Sequence, residues 1–192
     1  MPELPEVQTT ADGIKPYLLN LFFIGYLFGI GFFLTGINWI SHSLTFDEKF
    51  KLLIPLVIIG LPIFLGLFFG FANLIVGPFL QNNFTSILLF SSSYAFADYF
   101  RANILSGFPW NLWAYTWSWK PEILQPLFHL GVFSFNLLCI IIYCSPLLLF
   151  FKKKFNFFLL FLISLVFFGN YIYGSSIIKN NNKHFIDLKL NE

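Results

Sequence analysis

Charge is scarce in this sequence. Asp, Glu, Lys and Arg make up 10% of its 192 residues, where a soluble domain carries about 25%. With 57% hydrophobic and 22% aromatic residues and a mean hydropathy of +0.76, the chain falls in the integral-membrane class. Arginine is almost missing: Arg101 is the one Arg, and the other ten basic residues are Lys. A net charge of +2 excludes the basic face that nucleic acid requires. Cysteine is limited to Cys139 and Cys144. Their spacing is neither CxxC nor a zinc pattern, so they read as small buried hydrophobes. The three histidines, His42, His129 and His184, fall on different elements, which favours packing roles over a metal site or a proton relay. No metal and no cofactor is expected.

Phenylalanine is missing from residues 1–20, although the chain holds 29 Phe in all. That segment has three Pro and three acids. It is not a signal peptide, because its charges are acidic and no small-residue cleavage site follows a short apolar core. Its opening, MPELPEV followed by Thr9-Thr10 and Gly13-Ile14, resembles the N-terminus of formamidopyrimidine-DNA glycosylases. The resemblance implies that Pro2, once Met1 is removed, is an amine nucleophile, with Glu3 as the acid/base group beside it. It ends by residue 18. The family's β-sandwich, helical DNA-binding domain and four-Cys zinc finger have no counterpart further on. Neither a basic DNA-binding face nor a pocket for a flipped base follows. Residues 1–20 are therefore expected to be a leader rather than a folded domain, and no nucleic-acid partner is expected.

Five apolar segments come next, at about Tyr17–Ser41, Leu52–Leu80, Phe84–Leu105, Glu122–Phe151 and Phe155–Ser175. Each is long enough to span a bilayer, which takes about 20 residues. The fold class expected is all-α: a polytopic membrane domain of about five helices over residues 21–176, with 177–192 as a polar tail or linker. Gly25, Gly29, Gly31 and Gly36 on the first segment suit close helix approach in lipid. Pro55, Pro62 and Pro78 predict a kinked or tilted second helix. Lys152–Lys154 form the one basic cluster, so their loop is assigned to the cytoplasmic side. Counting back through the spans places the N-terminus in the cytoplasm.

The polar residues concentrate at 97–115, ADYFRANILSGFPWNLWAY. Asp98 and Arg101 are three apart, so they share a helix face and can pair. Near the outer end of the helix, Arg is expected to snorkel toward the interface. Ser91–Ser93 read as a small-residue helix contact. Trp110, Trp113, Trp117, Trp119 and Tyr115 read as an interfacial aromatic belt or as the wall of a lipid entry path.

A second resemblance covers residues 21–180. Gly-Ile-Asn-Trp-Ile at 36–40, Asp98, Arg101, Gly-Phe-Pro-Trp at 107–110, then Leu112, Ala114, Tyr115 and Gly131-Val132 occur in an order similar to the membrane domain of apolipoprotein N-acyltransferases. These bacterial inner-membrane enzymes move an acyl chain from a phospholipid to the N-terminal diacylglyceryl-Cys of a lipoprotein. The resemblance implies a lipid-facing vestibule formed by Trp39, Asp98, Arg101, Phe108, Pro109, Trp110 and Tyr115. It also implies membrane phospholipid, lipoprotein substrate and a separately encoded catalytic domain as partners. The family's first two spans and its nitrilase-like domain, with a Glu-Lys-Cys triad, are not found in these residues. Neither Cys139 nor Cys144 has a partnered Lys or Glu, so no catalytic residue carries over. The expectation is an N-acyltransferase membrane domain that is inactive alone; the alternatives are the glycosylase and a structural membrane fragment without activity.

Overall fold

The computed structural model describes the backbone at residues 4–104, 109, 111–151 and 154–189, and side chains at 13–104, 109, 111–151 and 155–181. Among these residues there are helices and turns and no strand. In chain order they are α1 (Leu4–Gly36), α2 (Trp39–Ser43), a 3-10 turn at Glu48–Leu53, α3 (Ile54–Val76), a 3-10 turn at Gly77–Phe79 and α4 (Phe84–Ile104). A 3-10 turn at Trp113–Trp117, α5 (Pro121–Leu124), α6 (Leu127–Cys144), a 3-10 turn at Ser145–Leu149 and α7 (Lys154–Lys189) complete it. The β-sandwich that the glycosylase resemblance implies is not among them.

Among the described residues four stretches are long and apolar enough to cross a membrane: Gly13–Gly36, Glu48–Phe79, Leu127–Leu149 and Phe155–Asn181. The all-α membrane fold is as expected, with one fewer such helix than the five segments suggest. The difference is α4. Its 21 residues have the length, but Ser91–Ser93, Asp98, Arg101 and Asn103 dilute its apolar character. Asp98 and Arg101 are fully buried, so α4 turns its charges into protein. The expected fourth span is also divided, into α5, α6 and the Ser145–Leu149 turn. Within α6, Gly131 has φ +74°, a backbone that L side chains rarely adopt, and the helix breaks its regular course there.

The residues pack as two units. One takes the chain up to Gln81 together with Ser92–Asn111; the other takes Asn82–Ser91 and the chain from Leu112 onward.

In the first unit α1 and α3 run antiparallel at very short range. A Cβ added to Gly29 would stand 2.8 Å from the Cα of Gly66 and 3.2 Å from the Cβ of Phe69. Gly25 lies against Asn73, whose Nδ2 donates to the Leu21 carbonyl at 2.8 Å. Lipid tails are as apolar as Leu, so helices in a membrane associate through such close packing and polar links. Gly31, by contrast, faces open space. Pro55 sits in the first turn of α3, where its missing N–H leaves nothing unpaired, and the helix continues through Pro62. The Ser93 hydroxyl donates to the Ala72 carbonyl at 3.2 Å, which joins α4 to α3. Phe33 and Phe69 are fully buried with ring centroids 5.3 Å apart, and Tyr94 lies 4.7 Å from Phe69.

The second unit has its core at Leu112, Ala114, Ile123, Phe135 and Cys139. α7 is fastened near both ends of its apolar stretch. Asn170 Nδ2 donates to the Ile123 carbonyl at 3.0 Å, where Gly174 abuts the Glu122 carbonyl. Asn156 Nδ2 donates to the Leu148 carbonyl at 3.5 Å. The α1 backbone already begins at Leu4, and α7 runs on to Lys189, through the segments where a leader and a tail were expected.

The α1–α3 contact sets a test. Gly29→Leu should destabilise the protein in detergent by about 1–3 kcal/mol, the range for overpacking. Gly31→Leu, on the open face of the same helix, should leave the thermal midpoint near wild type.

Candidate functional site

The end of the first unit holds the polar residues singled out by sequence. α4 is regular through Asp98 and Arg101, so a separation of three places both on one face. Arg101 Nη2 donates to Asp98 Oδ1 at 2.8 Å. The expected pairing is present, but the snorkelling is not: both side chains are 0% exposed. Arg101 cannot reach the interface because it is stacked under α1. Its guanidinium carbon lies 4.9 Å from the centroid of Phe33, a cation–π contact strengthened by the absence of water. Among the described residues Arg101 Nε and Nη1 have no hydrogen-bond partner. The pair is close to neutral as a whole, which is why a charge can be kept at such depth.

Asn111 was not anticipated from sequence. It follows Gly-Phe-Pro-Trp in the sequence and has φ +47°, a left-handed conformation in which Asn is enriched among non-glycine residues. Its Nδ2 donates to the Phe32 carbonyl at 3.3 Å, and its amide fills the place that a side chain at Gly36 would take. The glycine expected to serve helix packing thus seats this residue. An Asn directly after Pro-Trp is the signal that could have found it.

The other vestibule residues are divided between the two units. Trp39 opens α2 and is 57% exposed, as an interfacial Trp requires. Pro109 is half-buried. Phe108 and Trp110 lie outside the described residues, as do Pro2, Glu3, Lys152 and Lys153. Tyr115 belongs to the second unit, exposed on the Trp113–Trp117 turn.

That turn is anchored from beneath. The Ala114 N–H donates to Asn136 Oδ1 at 3.1 Å, and Asn136 is 0% exposed in the middle of α6. Trp117 stacks on Tyr143 with ring centroids 6.0 Å apart and 9° between planes. The Thr116 hydroxyl meets the Tyr143 hydroxyl. Trp119 is exposed, with Lys120 Nζ 5.4 Å from its ring. Half-buried Trp113 and Trp117 beside exposed Tyr115 and Trp119 fit an interfacial belt. His129 Nε2 lies 3.4 Å from the Tyr173 hydroxyl. Both cysteines are free; Cys139 is buried and Cys144 half-buried. Among the described residues no three His, Cys, Asp or Glu side chains gather as a metal site would need.

The comparisons with known proteins are consistent in direction. A family model described as the apolipoprotein N-acyltransferase N-terminal domain matches residues 16–145. The chain is 35% identical over 127 residues to the apolipoprotein N-acyltransferase of Brucella melitensis, covering 66% of this chain and 24% of that protein. It is 35% identical over 169 residues to the Rickettsia prowazekii apolipoprotein N-acyltransferase, covering 86% and 34% respectively. The chain therefore spans about a quarter to a third of the length of the curated relatives it matches. No solved structure matches it. The match to the family model begins after most of the glycosylase-like opening.

The buried pair is testable by a double-mutant cycle. Arg101→Met or Asp98→Asn alone should cost about 3–5 kcal/mol, because the remaining group is left buried and uncompensated. Asp98→Asn combined with Arg101→Met should recover most of that loss in thermal melts.

Proposed function

The chain belongs to the apolipoprotein N-acyltransferase family, and we propose that it supplies the membrane scaffold for phospholipid-to-lipoprotein acyl transfer while residues outside these 192 perform the chemistry. The observation that carries the reading is the family match over residues 16–145, with the chain covering about a quarter to a third of its relatives' length. The chemistry of the chain agrees. Acyl transfer by a thiol needs an exposed thiolate with a base beside it. Cys139 is buried in α6 among Leu112, Ala114 and Phe135, and Cys144 closes the same helix.

The bacterial relatives and four helices that can cross a membrane make this a bacterial membrane protein. Within that statement, and counting α4 as a fifth crossing, we place it in the inner membrane with its N-terminus cytoplasmic and the 42–51 and 106–121 loops outside. In that orientation the exposed members of the set, Trp39 in the first unit and Tyr115 in the second, face phospholipid, while the buried Asp98 and Arg101 act as a structural pair.

Two measurements test this. Reconstituted in vesicles with a fluorescent phospholipid donor and a diacylglyceryl lipopeptide, the 192-residue chain should give no transfer above the vesicle blank. Steady turnover would sink the scaffold reading. For orientation, Lys49→Cys should react with a membrane-impermeant maleimide in spheroplasts of an outer-membrane-bearing host, and Gln8→Cys only after permeabilisation. The opposite pattern would reverse the topology.

A further inference from the structure

We infer that Gly131 is a hinge, and that residues 121–130 are an arm which α7 holds bent against the rest of α6. The device does not depend on acyl transfer.

The bend is written into the backbone. Gly131 has φ +74° and ψ 165°, a region essentially closed to every residue but glycine. A Cβ there would meet no atom within 4 Å, so torsion and not crowding requires the glycine. The same open space leaves the two parts of α6 free to turn about it. On the N-terminal side the backbone bonds stay within the arm. The Phe128 N–H donates to the Gln125 carbonyl, and the His129 and Leu130 N–H groups donate to that of Pro126.

The arm is incomplete by itself. Pro126 has no N–H, so the Glu122 carbonyl lacks the helical donor that stands four residues on. α7 meets the arm at this point. Gly174 lets α7 come up against the Glu122 carbonyl, with Gln125 packed beside it. Asn170 Nδ2 donates to the neighbouring Ile123 carbonyl at 3.0 Å, and the Tyr173 hydroxyl lies 3.4 Å from His129 Nε2. Asn170, Tyr173 and Gly174 are three and four apart, so one face of α7 carries the whole latch. Beyond the hinge α7 is held separately, by Asn156 at the Ser145–Leu149 turn. α7 therefore bridges the hinge.

The competing arrangement is a straight one. With Gly131 helical, Leu127–Cys144 becomes one continuous helix with Pro126 at its start, where a missing N–H leaves nothing unpaired. That form regains regular helical bonding at the break and gives up the latch. Two arrangements that exchange one set of bonds for another are what a hinge needs. Release moves Phe128, which is 90% exposed. It also frees the end of the Trp113–Trp117 turn, which is bonded through Lys120 to the arm at Ile123.

The test places spin labels at Phe128 and Leu147, both exposed, in the full chain reconstituted in bilayers. The labels are carried by unnatural amino acids, so Cys139 and Cys144 stay in place. A straight helix would separate the two backbones by about 28 Å, and the bend shortens that distance. Wild type should give mainly the shorter distance by double electron–electron resonance. Gly131→Ala, which the space admits and the torsion does not, should move the distribution to the longer one. Asn170→Leu should raise the fraction at the longer distance about fivefold, the change expected from losing one net hydrogen bond. Asn156→Leu, whose bond lies beyond the hinge, should leave the distribution as in wild type. A Gly131→Ala chain that keeps the wild-type distance overturns the inference whether or not Asn170→Leu folds. So does a distribution that Asn170→Leu leaves unchanged, or one that Asn156→Leu shifts as far, since α7 would then not act through the arm.

Discussion

The hydrogen bond from a side-chain amide to a distant backbone group is the interaction on which both units depend. In water, burying leucines would hold two helices together; in lipid that force is weak between helices. The chain instead uses asparagine. Asn73 bonds α3 to α1 at Leu21, and Asn111 bonds the chain after Gly-Phe-Pro-Trp to α1 at Phe32. In the second unit Asn136 holds the aromatic turn at Ala114, while Asn170 and Asn156 fasten α7 to Ile123 and Leu148. A helical carbonyl keeps a second lone pair after its own ladder bond, so it accepts the four links that asparagine donates without opening the helix; at Ala114 the direction is reversed, and Asn136 Oδ1 accepts the N–H. Glycines at the α1–α3 contact then let the backbones come near enough for the amide to reach.

The Asp98–Arg101 pair answers a different requirement. A lone charge inside a membrane protein is expensive, and a pair with good geometry removes most of that cost. Phe33 covers one face of the guanidinium, which replaces part of the hydration lost by Arg101. The consequence appears at the level of the whole helix: α4 is less apolar than its neighbours, with Asp98 and Arg101 buried on one face and Phe96, Phe100 and Ile104 exposed on another.

Much of this was legible in the sequence, for reasons that also set the limit. Hydropathy located α1, α3, α6 and α7 because a bilayer demands long apolar runs. Spacing joined Asp98 to Arg101 because a helix repeats every 3.6 residues. Helical spacing says nothing about what lies across from a face, so the depth of Arg101 under Phe33 could not be read. Gly36 and Asn111 are 75 positions apart, and neither is informative without the other. The break at Gly131 was hidden for a similar reason: one glycine in an apolar run is compatible with a straight helix, and only its φ shows otherwise. Family resemblance reached further than local pattern, since order and identity of motifs carry tertiary information that periodicity lacks.

Position 111 shows how tightly such a turn can constrain composition. Glycine would adopt the left-handed backbone, but it has no amide to offer Phe32. Aspartate tolerates the backbone and matches the size, but ionised it has no donor and would set a charge against a carbonyl. Histidine, the remaining residue enriched at positive φ, brings a ring into a space shaped by the missing side chain of Gly36. Asparagine alone meets the torsional, hydrogen-bonding and steric conditions together. The site is therefore specified one residue deep, by geometry and independently of any reaction carried out above it.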